Sequence, residues 1–284
     1  MLRNSYFISV VWKRFRQNRL AMAGATVVGF LFVLSFLAPL ITPYDPSHLD
    51  AWHVLLPPSA QHWFGTDELG RDVFTRVIYG ARVSLKVGFV AVGIAVLIGT
   101  AVGLVAGFYG GWLDSLLMRL VDIMLCFPTF FLILAVIAML EPSIWYIMII
   151  IGLTGWMGVA RLVRAEVLTL REREFVLAAR AVGARDRRII FKHIFPNIFG
   201  ELLVAATLWV GVAIRLEANL AFIGLGVQPP TPTWGNMIRE GVDVLINAPG
   251  ISVYSGLCIL VTILAFNMLG DGVRDMIDPR LRGI

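Results

Sequence analysis

The sequence predicts an all-α polytopic membrane protein with six transmembrane helices. Of its 284 residues, 58% are apolar and only 15% are charged, and the mean hydropathy is +0.81. Soluble domains carry about a quarter charged residues. Basic residues are concentrated in two blocks, at 1–19 and 161–192, as expected for the cytoplasmic flanks of spanning helices. These observations exclude a soluble globular domain.

Six apolar stretches reach the roughly 20 residues that a helix needs to cross a bilayer core of about 30 Å. The predicted spans are Leu20–Ile41, Leu85–Phe108, Leu116–Leu140, Ile144–Val163, Ile198–Leu220 and Ile251–Leu269. The first follows a basic segment but is longer than the roughly 7 to 15 apolar residues of a cleavable signal, so it is predicted to be an uncleaved signal-anchor. With the N-terminus inside, six crossings return the C-terminus to the cytoplasm, near Arg274, Arg280 and Arg282.

The chain is predicted to divide into two parts. Residues 1–83 would hold an N-terminal cytoplasmic segment, the first transmembrane helix and an extracytoplasmic loop. Residues 84–284 would form a core with five transmembrane helices. Crossing parity places the segments 42–84 and 224–250 outside the membrane. Three prolines at 229–232 prevent a helix in the second segment and favour extended or turn backbone.

An Arg-rich island at 172–196 joins the fourth and fifth spans, so crossing parity places it in the cytoplasm, in agreement with its charge. The residues predicted on one face of its first helix are Phe175, Ala179 and Val182. Gly183 ends that helix, and a second short helix is predicted to reach a boundary at Pro196. Its apolar side holds Ile189, Ile190, His193 and Ile194, and its basic side holds Arg185, Arg187, Arg188 and Lys192. An ordinary basic cytosolic loop would also explain the charge, but the two-helix pattern of apolar and basic faces favours a surface that binds another protein.

No energy-converting or catalytic motif is found in the sequence. None of the three lysines follows a glycine, so a phosphate-binding G-x-x-x-x-G-K-[ST] loop is not possible. The histidines and cysteines lack metal-ligand spacing, and no nucleophile–base pattern indicates an enzyme. The internal repeats and midplane carboxylates of ion-coupled transporters are also missing. What remains is a passive channel, or a permease that separate ATPases drive; we expect no catalytic residue and no metal ligand.

Ionisable residues within a membrane span need a partner or a function. Arg215 and Glu217 lie in the fifth span, about 200° apart on a helix, and Asn219 follows them. Glu217 either reaches the outer headgroups by snorkelling or faces a translocation path near its outer gate. Arg119 and Asp122 are predicted to pair within the third span, near the cytoplasmic surface.

The island also resembles the cytoplasmic EAA loop of binding-protein-dependent ABC importer permeases. That pattern runs Glu-Ala-Ala, three residues, Gly, nine residues, then a short apolar stretch ending in Pro. The matching positions are Ala178, Ala179, Gly183 and Pro196. Four further segments resemble blocks of the second permease subunit of dipeptide, oligopeptide and nickel importers. They are GTDELGRDVFTRVIYGARVSL, YGGWLDSLLMRLVDIMLCFP, FIGLGVQPPTPTWGNMI and LAFNMLGDGVRDMIDPRL, and the resemblance extends over residues 12–282.

The sequence departs from the family pattern at three positions. Leu177 replaces the Glu of the EAA loop, and Phe195 replaces the usual Leu. Because a carboxylate is missing, docking to an ATPase is expected to depend on shape and apolar contact rather than on charge. In the fifth span Arg215 is unusual for the subgroup, whereas Glu217 matches its common pattern.

The resemblance implies a type I ABC importer transmembrane fold in the inner membrane of a prokaryote. The implied partners are a second homologous permease subunit, two ATPase subunits, an extracytoplasmic substrate-binding protein and membrane lipid, and no nucleic acid. No cofactor is expected in this chain, since ATP and magnesium would act in the ATPase subunits. Di- or oligopeptides are the expected substrates. Nickel chelates, oligosaccharides and an ATPase-independent channel remain as alternatives.

Three groups of site residues are implied. The coupling helix would dock on an ATPase through Ala178, Ala179, Gly183, Arg187, Ile190, His193 and Pro196. The translocation path or gate would include Glu217 and Asn219. The outer loop that faces the binding protein or the outer gate would present Gln228, Pro229, Pro230 and Trp234.

Overall fold

The computed structural model describes residues 15–140 and 143–277. Over those ranges the regular elements are helices, with one isolated antiparallel bridge in a loop. The first 14 residues of the basic N-terminal block lie outside the described residues, as do Arg280 and Arg282 near the C-terminus. The predicted all-α class is confirmed.

Five helices are long and apolar enough to cross a membrane. They are α1 (Arg19–Ile41), α2 (Val73–Tyr109), α5 (Ile144–Arg171), α8 (Phe195–Phe222) and α10 (Gly250–Ile277). A bent pair of helices between α2 and α5 supplies a sixth span if the two are counted together. The predicted number of spans therefore agrees with the structure.

The third predicted span, Leu116–Leu140, is not one helix. It consists of α3 (Gly111–Cys126) and α4 (Thr129–Ile137), which meet at 79°. Phe127 between them has extended backbone, with φ −85° and ψ 127°. The ring of Pro128 disfavours helical geometry in the residue before it, so the helix ends there. Hydropathy alone cannot detect this break, because both halves are apolar.

Helix α2 begins at Val73, well before the predicted start at Leu85. The side chain of Asp72 caps it, accepting a hydrogen bond from the backbone N–H of Thr75 at 2.8 Å. The first turns of α2 are polar, so a search for apolar residues misses them. The predicted division between residues 83 and 84 falls inside this helix, and the division itself remains a prediction.

Helices α2 and α5 form the centre of the fold through a stripe of glycines. Gly99, Gly103 and Gly107 of α2 face α5, and a Cβ atom at Gly103 would lie 2.6 Å from the carbonyl oxygen of Ala160. Small residues at a spacing of four let two helix backbones approach closely, as is common in membrane proteins. Helix α8 packs against both members of this pair, and α10 packs mainly against α1 and α8.

The cytoplasmic island forms two short helical segments. They are α6 (Glu174–Ala181), and α7 (Asp186–Ile189) followed by a π-helical turn (Ile190–Ile194) that runs into α8. Pro196 marks the start of α8, as predicted, but the backbone stays helical on both sides of it. Pro196 lies in the first turn of α8, where a missing N–H is tolerated. The segment Asp186–Phe222 is therefore one helical rod of 37 residues.

A short helix, α9 (Trp234–Asp243), covers the outer ends of α2 and α8. Its N-terminus is a reciprocal capping box, in which Thr233 and Asn236 each bind the other's backbone N–H with a side-chain oxygen. Gly235 approaches Ala218 so closely that a Cβ atom would lie 2.7 Å from its Cα. The prolines before α9 lie in turns, which confirms the prediction of non-helical backbone there.

Candidate functional site

The cytoplasmic island is anchored to the membrane body through one apolar face. Val176 and Ile189 are completely buried, and Ala179 and Ile190 are nearly so. They pack in one cluster with residues from the cytoplasmic halves of α2, α5 and α8, namely Leu104, Phe108, Val159, Val163, Val167, Ile198 and Leu202. The island is therefore a rigid extension of the spans rather than a free loop.

Gly183 provides the turn between the two helical segments of the island. Its φ of +77° lies in the left-handed region that side chains avoid. Ala184 N–H bonds the carbonyl of Ala179, and Gly183 N–H bonds the carbonyl of Arg180, both at 3.0 Å. This pair of bonds is the Schellman motif, which ends helices at glycine. No neighbouring atom lies within 4 Å of a Cβ atom built at Gly183, so the turn projects into open space.

The surface of the island beside and opposite its buried face is exposed and partly apolar. Its large apolar side chains are Phe175, Leu177, Val182 and Phe191, and that of Val182 is 84% exposed. Phe175 and Val182 lie at helical spacing from Ala179, as the sequence predicts, but only Ala179 is buried. Helical periodicity identifies a stripe, but the three-dimensional packing decides which edge of the stripe is covered.

The predicted docking residues fall into two sets. Ala178, Gly183, Arg187 and Pro196 are exposed, and His193 is partly exposed. Ala179 and Ile190 are buried within the chain's own cluster, so they hold the island in place rather than offer a contact. Phe191 is an exposed apolar residue of the island that the sequence pattern did not indicate; its signal is a large side chain between the buried Ile190 and Ile194.

Arginines hold the cytoplasmic ends of the spans together beneath the island. Arg164 of α5 makes a bidentate bond to Asp114 of α3, at 2.5 and 2.6 Å. Arg171 donates to the carbonyl of Gly107 at 3.1 Å, which ties α5 to α2. The guanidinium of Arg180 lies 5.7 Å from the centre of the Phe108 ring. These contacts connect the cytoplasmic ends of α2, α3 and α5 to one another and to the island.

The sequence predicted that Asp122 pairs with Arg119, and this prediction is wrong. The Oδ1 atom of Asp122 accepts a hydrogen bond from Nη2 of Arg161 in α5 at 2.5 Å. The two residues are 39 positions apart along the chain. A pairing rule for residues of one helix cannot identify such a partner.

The two predicted gate residues lie in different surroundings. Glu217 has no exposed surface, and neither of its carboxyl oxygens has a hydrogen-bond partner among the described residues. Thr233, the residue that caps α9, lies near this carboxyl. Asn219 is exposed, on another side of α8. Burial beneath α9 argues against the interpretation that Glu217 snorkels to the headgroups, and the gate role remains a prediction.

The outer loop presents only part of the predicted partner-facing set. Gln228, Pro229 and Pro230 are exposed. Trp234 is completely buried, and its indole Nε1–H donates to the carbonyl of Val77 at 3.0 Å. The prediction that Trp234 faces a partner protein is therefore wrong, because its side chain fastens α9 to α2.

A buried ionic cluster of Asp67, Arg71, Arg76 and Glu240 joins the outer loop, α2 and α9. Arg71 bonds Asp67 at 2.7 Å and Glu240 at 2.9 Å, and Arg76 bonds the same two carboxylates. The near balance of charges between residues 67 and 76 is the sequence signal for this cluster. Glu240 lies too far along the chain for that signal to include it.

Histidines of the outer loop pair with carboxylates. Nδ1 of His62 lies 2.9 Å from Oδ1 of Asp72, the residue that caps α2. Nδ1 of His53 lies 2.6 Å from Asp50, and this hydrogen bond holds the pKa of the exposed Asp50 carboxyl below its usual value. Among the described residues no group of three or more His, Cys, Asp or Glu side chains is arranged to hold a metal ion.

Two sequence families match this chain. The model of the family described as "Binding-protein-dependent transport system inner membrane component" matches residues 99–283. The model described as "N-terminal TM domain of oligopeptide transport permease C" matches residues 5–58. Together the two matches include the first span and all of the spans after the middle of α2.

Several characterised proteins are similar over nearly the whole chain. The dipeptide transport system permease protein DppC of Alkalihalophilus pseudofirmus is 44% identical, over 95% of this chain and 89% of its own length. The glutathione transport system permease protein GsiD of Escherichia coli is 43% identical, over 96% and 90%. The oligopeptide transport system permease protein OppC of Bacillus subtilis is 40% identical, over 96% and 90%.

Among solved structures, an inward facing conformation of the MetNI methionine ABC transporter is similar. The TM-score is 0.58 at 19% sequence identity, and the match includes 71% of this chain and 96% of the other. At that identity the likeness shows the fold alone, which is the transmembrane fold of an ABC importer.

Proposed function

This chain belongs to the family of binding-protein-dependent transport system inner membrane components, and from that premise we propose that it carries di- or oligopeptides. The chain is a multi-pass permease subunit of a bacterial inner membrane. The relatives named above carry dipeptides, oligopeptides or glutathione, which is itself a short peptide. Their similarity over nearly the full length supports peptides over nickel chelates or sugars.

The chain would work as one part of a larger assembly. Its partners would be a second homologous permease, two ATPase subunits and an extracytoplasmic substrate-binding protein, with ATP and magnesium acting in the ATPases. The observation that carries this proposal is the island, which is fixed to the spans on one side and exposes Phe175, Leu177, Val182 and Phe191 on the other. Exposed apolar side chains on a rigid cytosolic projection are typical of a docking surface.

The connection between the island and α8 suggests how ATP would be used. Asp186–Phe222 is one helical rod, so a displacement of the docked island would tilt α8 as a rigid body. Its outer end lies beneath α9 and the loop that presents Gln228, Pro229 and Pro230. The ATPase dimer must hold the island differently in its two states, since attachment alone cannot drive a conformational change.

Within this scheme the docking contacts would be made by the exposed members of the predicted set, Ala178, Gly183, Arg187, His193 and Pro196. Ala179 and Ile190 would support them from below. Because Leu177 is exposed where the family pattern has a carboxylate, the contact would be apolar at that point.

Reconstitution tests the proposal against an ATPase-independent channel. Vesicles that contain this chain with its permease partner, both ATPases and the binding protein should take up a labelled dipeptide only with ATP. Vesicles that contain this chain alone should show no flux. Peptide flux through the isolated chain would contradict the importer proposal, and ATP-driven uptake of nickel chelates or sugars but not peptides would contradict the substrate assignment.

A further inference from the structure

An ion pair lies exposed on the surface of two membrane helices. The side chain of Asp122 in α3 is 59% exposed, and that of its partner Arg161 in α5 is 53% exposed. The two groups bond each other at 2.5 Å. Both are therefore open to whatever medium adjoins this face of the chain.

The pair lies in the cytoplasmic half of these two spans, since Val159 and Val163, on either side of Arg161 in the chain, pack in the island's cluster. Val121, the neighbour of Asp122, is completely buried and packs with Ala95 of α2 and with Trp156 and Met157 of α5. Ala95 is near the middle of the apolar stretch of α2, which ends at the cytoplasmic side with Tyr109. Asp122 and Arg161 therefore lie between the middle of this stretch and its cytoplasmic end.

A charge within a membrane span is costly when it faces lipid tails. An ionised side chain at the bilayer centre costs at least about 2.5–3.5 kcal/mol, so such groups face the bundle interior or a water-filled cavity. Here the body of the chain does not cover them. Water or a partner protein is the medium that suits both charges.

The exposed surface of α3 is divided into two stripes at helical spacing. Ser115, Arg119, Asp122 and Cys126 form a polar stripe. Trp112, Leu116, Leu120 and Ile123 form an apolar stripe beside it. Gly158 of α5 is also exposed and lies one turn from Arg161, so it extends the polar surface onto the second helix.

We propose that the polar stripe of α3, together with Gly158 and Arg161 of α5, lines the water-filled path along which the substrate crosses the membrane. The inference rests on the proposed transport function. A dry contact with another subunit would remove both charges from water, which costs several kcal/mol per ion. The apolar stripe is suited to lipid or to the second permease. Paired charges of both signs on the wall are suited to a zwitterionic solute such as a peptide.

Cysteine reactivity in the assembled transporter tests this inference. Cys126 lies on the polar stripe, and Cys258 is removed by Cys258→Ala. A small cationic thiosulfonate that does not cross membranes is applied to right-side-out and to inverted vesicles. In two further proteins Cys126→Ala is combined with Gly158→Cys or with Ile123→Cys. Space exists at Gly158, where a Cβ atom would approach only Trp209, at 3.8 Å. Ile123 is a matched control, because it is 61% exposed on the apolar stripe beside Asp122.

Cys126 and the cysteine at position 158 should react at least about tenfold faster than that at 123 in one orientation, because a cationic reagent avoids lipid. Equal rates at 123 and 126 would overturn the proposal. A second result would also overturn it: Cys126 is protected in both orientations of the assembled transporter but reacts in the chain alone in detergent. The stripe would then be a contact between subunits. Cys126 needs no substitution at its own position, so misfolding of another variant leaves the test intact. Peptide uptake is measured separately, and its absence would contradict the proposed function without changing the labelling result.

Discussion

At the scale of single residues, Gly183 and Glu217 are the two positions where local chemistry and function are most closely linked. The pattern of the island identified Gly183 as a break, and the structure adds a positive φ and open space around it. Glu217 was visible as a charge in an apolar span, but its burial beneath α9 depends on contacts between distant segments. No sequence window contains that information.

Gly183→Trp should abolish transport while the protein still assembles in the membrane. Any side chain at this φ costs about 1–2 kcal/mol, and the indole additionally projects into the space that a docked ATPase would occupy. Gly183→Ala carries the same backbone strain without the bulk and should keep most of the transport rate. Peptide uptake and co-purification of the ATPases measure the effect. Normal uptake with Gly183→Trp, and ATPases still bound, would show that the island is not the docking element.

Glu217→Gln tests whether the buried carboxyl works at the outer gate. If its charge is used when α8 moves, replacing the carboxylate by a neutral amide should remove about 1.4 kcal/mol or more of that interaction and lower the transport rate at least about tenfold. The amide has nearly the same shape, so the amount of protein in the membrane should not change. Uptake equal to that of the unmodified protein would remove Glu217 from the gate and leave it a structural role.

At the scale of elements, apolar length predicted the spans well, whereas a proline alone did not show whether the helix around it is interrupted. Pro128 ends α3, whereas Pro196 is accommodated in the first turn of α8 after a π-helical turn. Both follow a phenylalanine in an apolar context. What differs is the packing around them, since the residues before Pro196 are buried in a cluster that keeps the backbone helical.

The glycine stripe between α2 and α5 makes a prediction at this scale. Gly103→Val should lower the thermal stability and the yield of the purified protein, because a Cβ atom there lies 2.6 Å from a backbone oxygen. Overpacking of this kind typically costs about 1–3 kcal/mol. Gly93→Val in the same helix is the control, since nothing lies within 4 Å of its Cβ position. Equal melting temperatures for the two variants would show that close approach of these helices is not needed.

At the scale of the whole molecule, composition, crossing parity and basic blocks predicted the class, the number of spans and the cytoplasmic island. They could not predict which segments meet. Glu240 joins Asp67 and the two arginines of the outer cluster, and Asp122 finds Arg161 rather than Arg119. Both ionic contacts depend on distant parts of the chain lying side by side. A single sequence does not show which distant residues are neighbours in the fold.

The length of the helical rod from Asp186 to Phe222 determines how far a small rotation of the rod moves its outer end. Its 37 residues span about 56 Å at a rise of 1.5 Å per residue. If one end is held, each degree of tilt displaces the other end by about 1 Å. Rotations of a few degrees, small enough to keep most side-chain contacts in the α2–α5 centre, would therefore move the outer end of α8 by the width of a water molecule or more.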